Sequence, residues 1–462
     1  MRRRAHYRAT FGVVAAGVFA FAILQSLVLP VLATLQLELR TTQNTVTWVL
    51  TAYLLSASVC TPIMGRIGDL VGKERAFVAA LLALAAGSFL AALAPSIQVL
   101  IVARAIQGIG GGVLPLAFGI IRDEFPAAKV SSAVGAIASL GAVGTGVGVV
   151  VAGPIVNVLD YHWLFWLPLI LTSAAAIAAH VLLPESPVRS PGRISWLPAV
   201  LLSGWLVALL LALSQAPAWG WGSVKVIILF LAAVVLAGLW VETERRAATP
   251  LIDLRMMRLP AVWTNNLVAL LLGVGMYAVF AFLPEFVQTP VGSGYGFGAS
   301  ISESGLILLP STVMTVIGGL IAGRLGRAIG SKTVVVTGCL IGSVSMAMLA
   351  FAHDAKWQLY VAGAIQGAGL GIAYAAVASL VVRGVPPAQT GVASGMNANF
   401  RTIGGSIGAA LMASIVTAYP GSGGHPKEIG YTMGFALLAA ALGVAALAAL
   451  LIPAGPLACR RK

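Results

Sequence analysis

Fourteen apolar runs, each of about 20 residues, follow one another along this chain and restrict its fold more than any other feature. A helix of about 20 apolar residues crosses the ~30 Å hydrocarbon core of a bilayer and satisfies its own backbone hydrogen bonds there. Because the connections are short, the sequence predicts an all-α polytopic membrane protein without a soluble domain. The predicted spans are 11–33, 45–64, 76–95, 97–120, 131–155, 163–184, 196–214, 224–241, 264–287, 303–322, 333–352, 358–382, 394–417 and 430–453.

Positive charge is distributed unevenly between the two predicted faces. The net charge is +14, and with a cytoplasmic N-terminus 22 of the 28 Lys and Arg residues fall on the cytoplasmic side. Cytoplasmic loops of membrane proteins carry this excess, so the basic residues orient the chain and do not indicate a nucleic-acid partner. An even number of helices then places both termini in the cytoplasm. The opposite side holds only Arg40, Lys225, Lys356 and Lys427, and Arg104 and Arg401 fall within or at the edge of spans.

The chain also resembles itself at an offset of 258–259 residues. Residues 65–68 recur as 323–326, and residues 105–110 recur as 364–369, each pair at the same place in a six-helix unit. The offset leaves room for two further helices between the units. Two related bundles with a site at their interface are the plan of secondary transporters. The predicted 6+2+6 units are an N-terminal bundle, a two-helix insert and a C-terminal bundle, at 1–190, 191–245 and 246–462.

Arg104 places a permanent charge inside the predicted fourth helix. Holding a guanidinium at membrane depth costs about 3 kcal/mol on insertion scales, so it faces a cavity or a partner. This favours a transport pathway, and the alternative is an arginine that packs helices and bonds backbone carbonyls. Gln107 lies three residues on, on the same helix face. From there the charge would act on a nearby carboxylate or hold an anionic substrate group.

Several motifs together are similar to those of a known family. They are residues 65–75 between helices two and three, Arg104 with Gln107, Gly108 and Gly110 in helix four, Gly144, Gly148, Gly153 and Pro154 in helix five, and residues 249–255 and 395–405. In these motifs the chain resembles the major facilitator superfamily, specifically its fourteen-helix drug:proton antiporter branch, over nearly its whole length. The resemblance implies a proton-coupled exporter of amphipathic organic compounds, such as drugs or antibiotics, in a bacterial cytoplasmic (inner) membrane.

The first motif carries Gly65, Arg66, Asp69, Gly72 and Arg75. The glycines would let a tight cytoplasmic turn press against a neighbouring helix. We expect Asp69 to face a helix N-terminus, where a carboxylate is stabilised, and the arginines to complete a charge network. By resemblance this cluster closes the cytoplasmic side, and the alternative is a topology anchor.

Helix five carries the weaker antiporter signature, with Gly144, Gly148, Gly153 and Pro154. Small residues at this density would let helices of the two bundles pack closely, and Pro154 would kink the helix end. The resemblance assigns this region to antiport and to a leak-tight interface. On the residues alone, ordinary tight helix packing explains the pattern equally well.

Two acidic residues remain after the other twelve are assigned to loops or their borders: Glu285 and Glu303, each near the outer end of a span. Aromatic neighbours and Pro284 are expected to desolvate the Glu285 carboxyl group. We predict Glu285 as the proton-coupling acid and Glu303 as the second choice. By resemblance Arg104 assists this coupling. The alternative for both acids is an interfacial carboxylate in water.

The predicted substrate cavity is largely apolar with a few hydrogen-bonding groups. Many members of the branch carry an acid in the first helix, but Gln25 takes that place here, which argues against a dicationic substrate. Each of these polar residues has the alternative of a helix–helix hydrogen bond. The candidates are Gln25, Ser26, Gln107, Asn266, Tyr277, Gln366, Asn397 and Asn399.

Three functional classes compete at this point. The first is the proton-driven exporter, and the second is a lipid or metabolite transporter of the same fold. The third is a polytopic enzyme or a receptor, which the sequence disfavours because its spans lack clustered His, Asp or Glu. No phosphate-binding loop is visible, so ATP is not the direct energy source. We expect no enzyme activity, cofactor, metal or nucleic-acid partner, and a monomer in the lipid bilayer.

Overall fold

The computed structural model describes residues 7–184, 195–247, 250–421 and 425–453. Residues 1–6 and 454–462, the predicted boundary at residue 190 and Thr249 lie outside these ranges. Within them the chain is helical, and its one extended pairing is an isolated bridge between Pro420 and Pro426. The all-α prediction is confirmed.

Long helices make up most of the described chain. The first six are α1 Tyr7–Leu27, α2 Trp48–Val71, α3 Lys73–Ala92, α4 Ile97–Glu124, α5 Ala127–Val158 and α6 Trp163–Leu182, with a 3₁₀ turn Ile109–Gly112 inside α4. The next two are α7 Trp196–Trp219 and α8 Val224–Arg246. The last six are α9 Pro260–Gln288, α10 Ile301–Leu325, α11 Ser331–Phe351, α12 Lys356–Gly384, α13 Thr390–Ala418 and α14 Glu428–Ala449. Short helices are Leu32–Glu38, Gln43–Val46 and Leu254–Met257.

Thirteen helical segments of the described residues are long and apolar enough to cross a membrane. One of them, Ser302–Phe351, has 50 residues and contains both α10 and α11, which a π-helical turn Gly326–Gly330 joins. A straight helix of that size would be about 75 Å long, more than twice the ~30 Å bilayer core. The chain is therefore a multi-pass membrane protein. The count of fourteen crossings and the side on which the termini lie remain predictions.

Helix α2 extends further than the sequence indicated. The prediction of a loop that begins after residue 64 is wrong, because α2 continues to Val71. Only Gly72, with φ +125°, turns the chain before α3 begins at Lys73. Gly65 serves close packing and not a turn, since an added Cβ there would lie 2.5 Å from the Gly391 carbonyl oxygen.

Two helix–helix contacts join the predicted six-helix units. Helix α2 packs against α13, and α5 packs against α10. In one contact the second helix of the first unit meets the fifth helix of the last unit. In the other contact the fifth helix of the first unit meets the second helix of the last unit. We call the α2–α13 contact the first seam and the α5–α10 contact the second seam. Related bundles around a pseudo-two-fold axis produce such a pair of seams.

The two additional helices cover the first seam. Helix α7 packs against both α2 and α13, and α8 packs against α7. Trp221 donates from Nε1 to Ser414 Oγ at 2.8 Å, which attaches the α7–α8 turn to α13. At the other end of α8 the buried Glu244 carboxylate accepts hydrogen bonds from the backbone nitrogens of Leu251 and Ile252, at 2.9 and 3.1 Å. Helix α8 is thus attached at both of its ends.

Candidate functional site

Asp69 joins the two bundles at the predicted cytoplasmic face. Its side chain is fully buried at the end of α2, and its carboxylate accepts hydrogen bonds from the Gly391 nitrogen at 3.2 Å and the Val392 nitrogen at 3.0 Å. These nitrogens belong to the first turn of α13, where N–H groups lack intrahelical partners and the helix dipole favours a negative charge. The expected contact of Asp69 with a helix N-terminus is therefore present.

Two further side chains of the N-terminal bundle reach the same short segment. Lys73 Nζ lies 2.6 Å from Asp123 Oδ2 and 3.4 Å from the Pro387 carbonyl oxygen, and both charged side chains are buried. Arg122 donates from Nη1 to Thr390 Oγ1 at 2.8 Å. We call these contacts of Asp69, Lys73 and Arg122 with residues 387–392 the latch.

Sequence reasoning missed Lys73, Asp123 and Arg122 as site residues. Lys73 was part of the first motif, but its partner lies 50 residues away at the end of α4. Only the buried ion pair between the start of α3 and the end of α4 reveals the role of Asp123. The adjacent charges of Arg122 and Asp123 at a helix end were the available signal.

The other residues of the first motif divide between the interior and the surface. Gly65 and Gly391 touch through their backbones, which leaves no space for a side chain at either position. Arg66 is buried, and its positive charge attracts the carboxylates of Asp69 and Glu244. Arg75 is largely exposed, with Nε 3.7 Å from Glu74 Oε1. Of the two arginines, only Arg66 belongs to the buried network around the latch.

Arg104 is fully buried in α4. It donates from Nε to the Val49 carbonyl oxygen at 3.1 Å and from Nη1 to Gln107 Oε1 at 2.7 Å, and Gln107 in turn donates to Ser88 Oγ at 2.9 Å. The guanidinium carbon lies 4.3 Å from the centre of the Tyr53 ring. Arg104 therefore packs helices and bonds a backbone carbonyl. This agrees with the alternative that the sequence left open beside a transport pathway. Its Nη2 has no hydrogen-bond partner among the described residues.

A second guanidinium is buried in the C-terminal bundle. Arg401, on α13, lies over the Tyr374 ring at 4.3 Å and interacts with the hydroxyl groups of Tyr374 and Tyr277. It also lines a cavity of about 10 Å³ together with Ser394 and Asn397. Tyr277 was predicted as a cavity residue, whereas Arg401 was placed only at the edge of a span. Its ring partners come from other helices, so local sequence gave no signal of this cluster.

The helix-five glycines face two different neighbours. A Cβ at Gly144 would lie 2.6 Å from the Ala22 Cβ, and one at Gly148 would overlap Ser26, so both glycines pack against α1 of their own bundle. The expectation that these two serve the contact between bundles is wrong. Gly146 does face the other bundle, where it touches Thr312 of α10. Gly153 is buried and Pro154 is exposed within α5.

Most of the predicted cavity amides instead connect helices. Asn397 donates to Asn266 Oδ1 at 2.9 Å, and Asn399 donates to the Ser58 carbonyl oxygen at 2.8 Å across the first seam. Ser26 donates to the backbone of its own helix at 3.1 Å. These contacts favour the helix–helix alternative. Gln366 is buried, and Gln25 and Tyr277 are partly exposed.

Glu285 and Glu303 both lie at the face opposite the latch. Glu285, three residues before the end of α9, is exposed and accepts a hydrogen bond from the Tyr431 hydroxyl at 3.0 Å. Glu303, in the first turn of α10, forms a surface ion pair with Lys356. The aromatic neighbour Phe286 is buried, but it leaves the Glu285 side chain accessible. The role of Glu285 as the coupling acid stays a prediction.

The fold and this site define a multi-pass membrane protein of two related helical bundles held together by a latch at one face. The Major Facilitator Superfamily profile matches residues 14–409 and 266–458. The chain belongs to this superfamily, and it is therefore a membrane-embedded transporter of small substrates and not an enzyme.

Individual relatives agree with this assignment. The chain is 29% identical over 383 residues to the multidrug transporter protein MdtP of Bacillus subtilis, a match that covers 81% of this chain and 69% of the relative. It is 27% identical over 412 residues to the tetracenomycin C resistance and export protein of Streptomyces glaucescens, covering 88% and 76%. The fold is similar to that of the human organic anion transporter MFSD10, with a TM-score of 0.69, 15% identity and coverage of 96% and 99%.

Proposed function

We propose that this chain is a proton-coupled exporter of amphipathic organic compounds, drugs and antibiotics among them, that works by alternating access. The relatives named as multidrug and antibiotic export proteins support the cargo class. The observation that carries the mechanism is the latch. Asp69 holds the first turn of α13 through two hydrogen bonds to its backbone, which break as a unit when the cytoplasmic end of the first seam opens.

In this proposal the bundles 1–190 and 246–462 rock against each other while residues 191–245 cover the first seam. The latch holds the state that is closed toward the cytoplasm, and its release opens the state from which cargo is loaded. The protein works as a monomer in the bacterial cytoplasmic membrane, with both termini inside. Gly65 permits the closed contact, Gly72 makes the turn into α3, and Arg66 balances the buried carboxylates beside it.

We assign the coupling proton to Glu285, with Glu303 as the second candidate and Arg104 as an assisting charge. The hydrogen bond from Tyr431 holds the Glu285 carboxylate against α14, so gain or loss of a proton there changes a contact between two helices. Inverted vesicles test the assignment. Glu285→Gln should abolish uncoupler-sensitive uptake, while Glu303→Gln should reduce it less. Full proton-coupled uptake by Glu285→Gln would refute the assignment.

The overall function is tested in a pump-deficient bacterial host that expresses the chain. Growth in the presence of a chemically varied toxin panel should improve, and an uncoupler should remove the improvement. Asp69→Asn serves as the loss-of-function variant, and Glu242→Gln, at an exposed carboxylate on the same face, serves as the matched control. Protection that persists unchanged with the uncoupler would contradict proton coupling.

The alternative is a lipid or metabolite transporter of the same fold. Because α7 covers the first seam, a lipid would have to enter through the second seam. Labelled phospholipids and dyes presented side by side to proteoliposomes separate the two cargo classes. Movement of lipid without movement of any dye would favour the alternative.

A further inference from the structure

Four basic side chains gather where α10, α11 and α12 meet at the predicted cytoplasmic face. Arg324 lies in the last turn of α10, Arg327 in the π-helical turn that follows, and Lys332 in the first turn of α11. Arg383, near the end of α12, donates from Nη2 to Ser331 Oγ at 2.9 Å, which brings it to the residue beside Lys332. We call Arg324, Arg327, Lys332 and Arg383 the basic patch.

Two contacts with α5 place the basic patch at the end of the second seam. A Cβ added at Gly323, the residue before the first arginine of the patch, would lie 2.9 Å from Ser132 of α5. Ser379, one turn before the basic residue of α12, donates from Oγ to Ser131 Oγ of α5 at 2.6 Å. Helices α10 and α12 therefore both meet α5 immediately before their basic residues.

The internal repeat shows that this end of the second seam reverses the charge of the corresponding end of the first seam. At the offset of 258–259 residues, three acidic positions of the first unit correspond to basic positions of the last unit. The pairs are Asp69 and Arg327, Glu74 and Lys332, and Glu124 and Arg383. Between Glu303 and Glu428 the only acidic residue is Asp354, in the connection from α11 to α12 at the opposite face.

The charge of the basic patch is not balanced by the protein. Within the described ranges none of its four cations forms an ion pair with a carboxylate. At the first seam, by contrast, Lys73 is paired with the buried Asp123. Cytoplasmic cations orient a membrane protein in whichever loop they lie, so orientation does not explain why four of them meet at one seam. Like charges repel one another, and a bound anion would relieve that repulsion.

Helix α10 leads from the hydrocarbon region directly to the basic patch. Ile317, Leu320 and Ile321 are exposed, and they lie seven, four and three residues before Arg324, on the same face of the helix. The 25 residues of α10 make a helix about 38 Å long, which exceeds the ~30 Å hydrocarbon core. Arg324 at its end therefore lies at the depth of the lipid headgroups. A ligand that fits both the apolar face and the patch has acyl chains and an anionic head.

We propose that the basic patch binds an anionic phospholipid of the cytoplasmic leaflet, with its phosphate among the four cations and its acyl chains along α10. Arginine binds phosphate oxygens through paired N–H groups, and basic groups at this depth attract anionic headgroups. At the first seam the Asp69 carboxylate supplies the negative charge between the bundles. At the second seam the lipid phosphate supplies it.

A fluorophore beside the patch tests lipid binding at this place. Ile329, in the π-helical turn, is 50% exposed, and Ile329→Cys provides the attachment point after the native cysteines are replaced by serine. The full-length protein is placed in phosphatidylcholine nanodiscs that contain increasing fractions of nitroxide-labelled phosphatidylglycerol or nitroxide-labelled phosphatidylcholine. The anionic lipid should reach half-maximal quenching at a mole fraction at least about tenfold lower. Equal quenching by the two lipids would overturn the proposal.

Variants locate the binding. Arg327→Gln and Lys332→Gln should each raise the fraction of phosphatidylglycerol needed for half-maximal quenching about fivefold, and Arg327→Asp should remove the preference for this lipid. Arg246→Gln is the matched control, because Arg246 is an exposed arginine on the same face that pairs with Glu242. An equal effect of the control would refute a local site. If the Arg327 variants do not fold, Arg383→Gln should give the same fivefold change.

A soluble competitor distinguishes the lipid from free phosphate. Glycerol phosphate carries the anionic head of the lipid without its acyl chains, and nanodiscs leave both faces of the protein accessible. Quenching by phosphatidylglycerol should persist in a large excess of glycerol phosphate. Complete displacement by this competitor would mean that the patch takes a free phosphate, and the lipid site would be rejected.

Discussion

Replacement of Asp69 by asparagine isolates the energy of the latch. Each hydrogen bond from a backbone N–H to a charged carboxylate is worth about 1.5–3 kcal/mol, and Asp69 accepts two of them at a helix N-terminus. Asparagine keeps one acceptor oxygen and places an NH₂ group against the other N–H. A neutral side chain also costs less free energy to bury. The closed state should therefore be destabilised by less than the summed free energy of the two hydrogen bonds. We expect a loss of about 2 kcal/mol, a factor of about 30 in the equilibrium between closed and open.

The assay measures how often the cytoplasmic end of the first seam opens. Ser394 is buried one turn into α13 from the latch, and Ser394→Cys places a thiol there. The native cysteines Cys60, Cys339 and Cys459 are first replaced by serine. In inverted vesicles, a membrane-impermeant maleimide should label this thiol about 30-fold faster in Asp69→Asn than in the parent, provided closing is fast relative to labelling.

The control variant for this experiment is Glu242→Gln. Glu242 pairs on the surface with Arg245 and Arg246, and exposed pairs of this kind contribute little to conformational energies. Its labelling rate should equal that of the parent. Equal rates in Asp69→Asn and the parent would refute the reasoning, because they would mean that the two backbone hydrogen bonds contribute nothing to closure.

The remaining predictions concern other parts of the same face. Lys73→Met should lower the free energy of unfolding by about 3 kcal/mol because it removes the Lys73 ammonium group from the buried Asp123 carboxylate, and the double variant Lys73→Met/Asp123→Leu should recover most of that loss in thermal unfolding. Gly65→Val should reduce transport more than tenfold, since a side chain there meets the Gly391 backbone, whereas Gly12→Ala, with no atom within 4 Å of the added carbon, should transport normally.

Hydropathy alone predicted the helical membrane fold, because a bilayer leaves a chain of this composition few other ways to satisfy its backbone. The internal repeat predicted two equivalent six-helix units, and the α2–α13 and α5–α10 seams are contacts between them. The position of Asp69 at a helix N-terminus also followed from residue type, since a carboxylate beside glycines at a helix end has few better partners.

Side chains that meet only through the tertiary fold were not predictable. Lys73 and Asp123 lie on different helices, and Arg401 meets tyrosines from α9 and α12. The helix-five glycines illustrate the same limit. Their density indicated close packing, but only the rotation of α5 decides that Gly144 faces α1 and that Gly146 faces α10.

The repeat makes the two seams equivalent in position, but their chemistry makes them unequal. Along the second seam a Cβ added at Gly305 would lie 3.5 Å from Val150, and one at Gly323 would lie 2.9 Å from Ser132, so α5 and α10 pack closely at widely separated points of the seam. The first seam closes through Asp69 and its neighbours at the predicted cytoplasmic end. Small residues hold the backbones of α5 and α10 in close contact, whereas hydrogen bonds to a charged group close the end of the first seam. The second seam therefore suits a pivot, and the first seam suits the switch that sets which face is closed.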